Sequence, residues 1–99
     1  MITHVVVFWL NGGGEELAGE FRAAAARLSE IPEALNFRFG SALESPRGAV
    51  DDSFDLAISM DFEDADALER YQCHPEHQAF VNEWVKPKVG RFVVYDFSS

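Results

Sequence analysis

The chain has 99 residues, of which 47% are hydrophobic and nine are phenylalanine, and its formal net charge is −9. A surface with this excess of acidic groups repels phosphate, so nucleic acids and anionic membranes are disfavoured as partners. A domain of this size buries only about 60–65% of the surface of its unfolded chain. The surplus of apolar residues therefore predicts burial against a partner, most economically a second copy of the same chain.

Cysteine content and hydropathy indicate the compartment. The only cysteine, Cys73, has no partner for a disulfide within the chain, which favours a reducing compartment. The apolar start, MITHVVVFWL, is short and lacks the basic region and cleavage site of a signal peptide. No segment approaches the roughly 20 apolar residues of a membrane-spanning helix. We expect a soluble, cytoplasmic protein with one domain over residues 1–99.

The first predicted element is a strand from Ile2 to Trp9, which is apolar on both alternating faces. The alternation of side chains places His4 on the same face as Val6 and Phe8. This strand is therefore expected to be covered on both sides, with a histidine on one covered face.

A helix is predicted after the three glycines at positions 12–14. Glu15 and Glu16 suit its positive end, and Pro32 ends it. One face carries apolar residues every three or four positions: Leu17, Phe21, Ala24, Leu28 and Ile31. A glycine-rich loop before a helix is able to bind phosphate, but the two glutamates occupy the place of the phosphate charge. A flexible turn is the preferred interpretation.

Two further strands and a long loop are predicted in the middle of the chain. Alternation indicates a strand from Leu35 to Leu43, in which Gly40 suggests a bulge or bend. The segment 44–53, ESPRGAVDDS, has the composition of a loop. The clearest strand runs from Phe54 to Phe62, with apolar side chains at every second position.

The last third of the chain is predicted to form a split helix and a final strand. Asp64 caps a short helix that ends near Tyr71, and the pair His74-Pro75 interrupts it. A new helix runs from Pro75 to about Lys86, and a strand follows from Val89 to Phe97. The order strand, helix, strand, strand, helix, strand predicts an α+β, ferredoxin-like βαββαβ protomer. Its antiparallel sheet carries helices on one face, and a second protomer packed sheet to sheet is expected to cover the other.

The segment RYQCHPEHQAF, residues 70–80, concentrates the side chains that carry chemistry. A metal site is disfavoured, because His74 and His77 are three residues apart whereas zinc proteases use two histidines four apart on one helix face. No second cysteine exists to complete a structural zinc site. Cys73 is interpreted as a packed thiol. No cofactor is predicted.

An acid/base interpretation fits the same segment. His77 is the third residue of the new helix and points with its apolar face, so burial and the helix terminus are expected to lower its pKa. A neutral imidazole accepts a proton, and Tyr71 is able to donate a hydrogen bond to a developing oxyanion. His4 would line the floor of the same space. The alternative is that these residues are structural and only fix the helix against the sheet.

The whole sequence resembles the Dabb family, the stress-responsive dimeric α/β barrel domain. The resemblance rests on ITHVVVFWL, IPEALNFRFG, DLAISMDFEDADALERY, HPEHQAF and the final VVYDF. It implies a homodimer in which two sheets form a barrel, with a small apolar cavity between sheet and helices in each protomer. A plant polyketide cyclase of this fold uses a tyrosine and a histidine that match Tyr71 and His77, and a further histidine that matches His4.

Function is implied only as a class by this resemblance. Family members include stress-induced proteins, and the wider superfamily includes monooxygenases, isomerases and decarboxylases that act without metal on small cyclic or carbonyl compounds. Cyclase- or isomerase-type acid/base chemistry with His77 as base and Tyr71 as oxyanion donor is one expectation. The alternative is a non-catalytic homodimer that binds a small ligand or protects under stress. The GGG loop departs from the family pattern, so the shape of the cavity is not carried over.

Overall fold

Four strands form one antiparallel sheet in the order β2-β3-β1-β4, which confirms the predicted ferredoxin-like arrangement. The structure, a computed structural model, describes residues 1–99. The strands are β1 (Ile2–Leu10), β2 (Leu35–Gly40), β3 (Leu56–Phe62) and β4 (Val89–Ser98). The helices are α1 (Gly14–Ala26), α2 (Ala65–Cys73), α3 (Pro75–Phe80) and α4 (Lys86–Lys88). A 3₁₀ turn, Arg27–Glu30, extends α1, and a π-helical segment, Val81–Val85, joins α3 to α4.

The core lies between one face of the sheet and the helices. Strand β3 alternates between buried and half-buried residues, as expected for a strand with one face turned to a core. Thirteen buried apolar residues form one cluster: Val6, Phe8, Phe21, Ala25, Leu28, Ile31, Leu56, Ile58, Met60, Phe62, Ala67, Tyr71 and Phe80. His4 is also buried, and it lies on the core face with Val6 and Phe8, as the alternation predicted. None of the helices has the length and apolar character to cross a membrane.

The predicted bulge in the second strand is in the wrong place. The pairing of β2 with β3 slips between Leu35 and Arg38, and Asn36 adopts a positive φ of 52°. Asparagine tolerates this left-handed conformation better than most residues, and the Asn36 side-chain amide donates to Asp61 at 2.9 Å. Gly40 simply ends the strand, which is three residues shorter than the predicted Leu35 to Leu43.

The predicted helix break is present at His74. Asp64 caps α2 by accepting a hydrogen bond from the Ala67 amide at 2.8 Å, as its position predicted. The extended backbone of His74 ends α2 and starts α3, and its ring Nδ1 accepts from the Glu76 amide at 3.0 Å. Pro75 at the first helical position needs no amide hydrogen there. The break therefore changes the helix direction between Tyr71 and His77.

The second face of the sheet carries no helix. Its central side chains are apolar and only half-buried, and those of β4 are the most exposed. In the register of β1 with β4, Val5 lies opposite Tyr95 and Val7 opposite Val93. Tyr95 is 62% exposed and Phe97 is 56% exposed. This open face is an apolar surface of the kind that marks a contact with another protein.

Candidate functional site

A cavity of about 200 Å³ lies between the core face of β1 and β4 and the helical segment from α2 to the π turn. Ten of its thirteen lining residues are hydrophobic. The lining residues are His4, Val6, Phe8, Leu28, Ile58, Tyr71, Gln72, His77, Phe80, Val81, Val85, Phe92 and Val94. A mostly apolar concave space with a few polar groups is the usual form of a small-molecule site. The three residues singled out from the sequence, His4, Tyr71 and His77, all line it.

Tyr71 is the most deeply placed polar side chain of the cavity, since only 1% of its surface is exposed. It is held by the end of α2 and packs against Phe62, with ring centroids 5.0 Å apart. Burial raises the pKa of its hydroxyl well above the ordinary value of 10.0. The hydroxyl therefore stays protonated at any physiological pH, which is the state required of a hydrogen-bond donor to an oxyanion.

His77 lies beside Tyr71, with 4.8 Å between the ring centroids and 61° between the ring planes. It is half-buried at the third position of α3, where the sequence placed it. Burial lowers its pKa below 6.5, a hydrogen bond to the backbone of Gln72 offsets part of this effect, and the nearby His4 lowers it further. The imidazole is therefore neutral near pH 7 and is able to accept a proton.

Sequence reasoning missed Asp96. The pairing of β1 with β4 sets Asp96 opposite His4, and its Oδ1 is hydrogen-bonded to His4 Nδ1. A carboxylate at Nδ1 holds the hydrogen on that nitrogen and leaves Nε2 as an acceptor. The ring of His4 lies 6.1 Å from that of Tyr71 between centroids. The sequence signal was an acidic residue between two aromatic residues in the last strand, but the partner of Asp96 depends on the strand register.

His74 and Cys73, the other two reactive side chains singled out in the segment 70–80, do not line the cavity. His74 is used as the cap of α3. The prediction that Cys73 is a packed thiol is wrong, since its side chain is exposed. Cys73 follows the buried Tyr71 by two positions, which is about 200° around a helix, so burial of the tyrosine turns the cysteine outwards.

The helix predicted from Pro75 to about Lys86 continues to Lys88, but not as a regular α-helix. Its middle part, Val81–Val85, has π-helical geometry, which is uncommon and is found often at functional sites. Val81 and Val85 from this segment form part of the cavity wall. The wider turn therefore shapes the space beside Tyr71 and His77.

The lowered pKa of His77 makes stability depend on pH in a defined window. Because the folded pKa is below the unfolded value of 6.5, the unfolded chain binds more protons between these two values. The contribution of His77 to stability is complete above pH 6.5 and is lost as the pH falls through the folded pKa. We expect the urea midpoint to decrease from pH 7.5 to pH 5.0, and to decrease less in His77→Gln. An identical pH dependence in wild type and variant would contradict this assignment.

Comparison with known proteins gives a family match over almost the whole chain. The family described as the stress responsive A/B barrel domain (Dabb) matches residues 2–99. An uncharacterized protein of Streptomyces coelicolor is 37% identical, covering 98% of this chain and all of that protein. A Dabb family protein of Mesorhizobium loti with a ferredoxin-like fold has 32% identity and a TM-score of 0.82, covering 99% and 95% of the two chains.

Two further solved structures share the fold. A dimeric ferredoxin-like protein of unknown function from Thermobifida fusca has 27% identity and a TM-score of 0.80, covering 99% of this chain and 90% of that one. The hydroxynitrile lyase of Passiflora edulis has 20% identity and a TM-score of 0.77, covering 97% and 90%. At that identity the likeness concerns the fold alone.

Proposed function

Because the chain belongs to the stress-responsive A/B barrel (Dabb) family, we propose that it is a homodimer that catalyses cofactor-free acid/base chemistry on a small carbonyl compound. His77 acts as the base, and Tyr71 donates a hydrogen bond to the developing oxyanion. The observation that carries this proposal is the contact of the two rings, 4.8 Å between centroids, inside an apolar cavity.

The proposed reaction begins with proton abstraction from the carbon next to the carbonyl group. Neutral His77 takes the proton, the C–H electron pair forms the carbon–carbon double bond, and the carbonyl electron pair moves onto oxygen. The Tyr71 hydroxyl donates to that oxygen, where the negative charge develops. For an isomerisation, protonated His77 then gives its proton back to a carbon of the enolate and returns to the neutral state. For an aldol-type cyclisation, the enolate carbon attacks a second carbonyl group, and the alkoxide that forms takes the proton from His77.

His4 completes the set of acid/base groups. With Nδ1–H held by Asp96, its Nε2 is the acceptor in the same cavity. In the proposed cycle His4 Nε2 accepts a hydrogen bond in the polar part of the cavity, and no net proton transfer passes through it. The hydroxynitrile lyase that shares the fold supports the idea that this scaffold holds lyase-type chemistry, and it supports no residue assignment.

Exchange of carbon-bound hydrogen tests the first step without knowledge of the natural substrate. Acetophenone has exchangeable hydrogens next to its carbonyl group, and their loss in D₂O is followed by ¹H NMR. We expect protein-dependent exchange that saturates with ketone concentration and exceeds the rate in buffer. Exchange no faster than in buffer, at a ketone concentration that saturates the cavity, would contradict the proposal.

The Asp96→Asn variant tests the orienting role of the carboxylate. An amide retains the shape but is able to donate to Nδ1, which moves the hydrogen of His4 to Nε2. We expect exchange to slow by roughly tenfold, less than the 10²–10⁴-fold loss expected for removal of a general base itself, and the ¹⁵N shifts of His4 to report the other tautomer. Asp66→Asn, on the exposed first turn of α2, should change neither quantity. Unchanged ¹⁵N shifts in Asp96→Asn would refute the orienting role.

We place the dimer interface on the open face of the sheet. Its half-buried centre, Val5, Val7 and Val93, continues into the exposed Tyr95 and Phe97. Sheet-to-sheet packing of two copies covers this apolar area on both at once. The dimeric ferredoxin-like neighbour supports this assembly.

A charge at the centre of the open face is expected to break the dimer. Val7→Asp places a carboxylate among the half-buried valines of the open face, and burying that charge in the interface costs several kcal/mol. Light scattering at micromolar concentration should give twice 11.1 kDa for wild type and 11.1 kDa for the variant. Asn82→Asp, which adds the same charge at an exposed helical position, should stay dimeric. A monomeric wild type or a dimeric Val7→Asp would refute this interface.

A second candidate is a homodimer that binds a small ligand or protects under stress without catalysis. The apolar character of the cavity favours binding on its own, since nine of the thirteen lining residues are aliphatic or phenylalanine side chains without a reactive group. Saturable binding of acetophenone without exchange would select this function. The cytoplasmic location stays a prediction from the single cysteine.

A further inference from the structure

The polar groups of the cavity are gathered in one part of its wall. His4, Tyr71 and His77 lie next to one another, with ring centroids 4.8 and 6.1 Å apart, and Gln72 adjoins them in sequence. The rest of the wall is formed by aliphatic and phenylalanine side chains, and no lysine or arginine contributes to it. The cavity therefore has a hydrogen-bonding part and a larger apolar part.

The volume limits the ligand to about one ring. A cavity of about 150 Å³ lined by apolar side chains holds one benzene molecule. The volume here is about 200 Å³, which leaves room for a ring and a short substituent and not for two fused rings. The apolar part suits the ring, and the polar part suits the substituent.

The charge distribution excludes an anionic ligand. A carboxylate transferred from water into this space would lose its hydration and find no cationic side chain. The Asp96 carboxylate behind His4 and the net charge of −9 both add to the repulsion. A neutral carbonyl group needs only the hydrogen bonds that the tyrosine and the histidines provide.

The entrance lies along the edge strand β4. Phe92 and Val94 belong to the cavity wall, yet they are 54% and 42% exposed. They pair with Phe8 and Val6 and so belong to the core face of the sheet, not to the open face. Sheet-to-sheet dimerisation therefore leaves this entrance uncovered.

We infer that the cavity selects a neutral, single-ring ligand that enters past Phe92 and Val94 and places one carbonyl group against Tyr71 and His77. This inference rests on the proposed function for the orientation of the carbonyl group. The limits of size and charge rest on the volume and on the lining residues alone.

Three aromatic carbonyl compounds test the size and charge limits in the full-length protein. Acetophenone is neutral with one ring, 2-acetylnaphthalene is neutral with two, and benzoate has one ring and a negative charge. Binding at pH 7.5 is followed by NMR of the valine methyl groups. We expect saturable shifts at Val81 and Val85 with acetophenone and dissociation constants at least tenfold larger for the other two. Equal or tighter binding of either, or no saturable binding of acetophenone, would overturn the inference.

Variants of Val85 link selectivity to this cavity. Val85→Phe fills the cavity and should weaken acetophenone binding at least tenfold. Val85→Ala enlarges the cavity and should reduce the ratio between the dissociation constants of 2-acetylnaphthalene and acetophenone. Asn82→Ala, an exposed position in the same π-helical segment, should leave all three constants within twofold. Thermal melting confirms that each variant is folded. An unchanged preference in Val85→Ala would place the binding elsewhere and refute the inference.

Failure of the ligand class and failure of catalysis give different results. If acetophenone binds with the expected preference and no hydrogen exchange occurs, the inferred ligand class is supported and the proposed acid/base function is refuted. If exchange occurs and 2-acetylnaphthalene or benzoate binds with the same affinity as acetophenone, the proposed function is supported and the size or charge limit is refuted.

Discussion

His77→Ala is expected to slow hydrogen exchange in acetophenone by at least about 100-fold, the lower bound for loss of a positioned general base. The reason is that His77 is the neutral imidazole packed against Tyr71, with 4.8 Å between the ring centroids. A purely structural role makes a different prediction, since free imidazole would then restore nothing. We expect added imidazole to recover part of the exchange rate by entering the space left by the ring.

His74→Asn is the matched control for this experiment. His74 lies three residues away, caps α3 and does not line the cavity, and asparagine is a good capping residue. The exchange rate should stay within twofold of wild type. Tyr71→Phe, which removes only the hydroxyl, should slow exchange by roughly 10²–10³, the usual effect of losing one oxyanion donor. Full activity in His77→Ala would end the proposal that this residue is the base.

Phe21→Ala is expected to lower the free energy of unfolding by about 3–5 kcal/mol. Phe21 is fully buried and joins the sheet to the helices, with ring centroids 5.1 Å from Phe8 and 5.3 Å from Phe80. Truncation leaves a cavity at the point where α1 meets both β1 and α3. Since the total stability of a domain is about 5–15 kcal/mol, a loss of this size removes a large part of it.

Phe92→Ala is the matched control, because it deletes the same ring at a position that is 54% exposed. Its cost should be about 1 kcal/mol or less. Urea unfolding of both variants at one protein concentration checks the difference, since the stability of a dimer depends on concentration. Equal costs for the two substitutions would contradict the described core.

The elements that carry the site followed from local sequence patterns. Alternation in ITHVVVFWL placed His4 on the core face, because side chains of a strand point to opposite sides in turn. The proline after His74 fixed the helix restart, because its ring removes an amide hydrogen and restricts the preceding residue. Spacing along the two helices then aimed Tyr71 and His77 at one space. These rules act over a few residues, and so they were readable without a structure.

Irregular geometry was beyond those rules. The bulge at Asn36 depends on its hydrogen bond to Asp61 in the neighbouring strand, and Gly40 was the more obvious candidate by residue type. The π-helical geometry of Val81–Val85 has no signature among the residues themselves. Each of these features is decided by packing against a separate part of the chain.

The sequence by itself therefore determined the fold class, the order of the elements and the three side chains that meet in the cavity. Only the tertiary structure decided that Asp96 orients His4, since these residues are 92 positions apart. Shifting β4 by one residue against β1 would turn Asp96 to the opposite face. The register is chosen by the combined packing of two strands and the helices behind them, a sum over distant contacts that no local pattern contains.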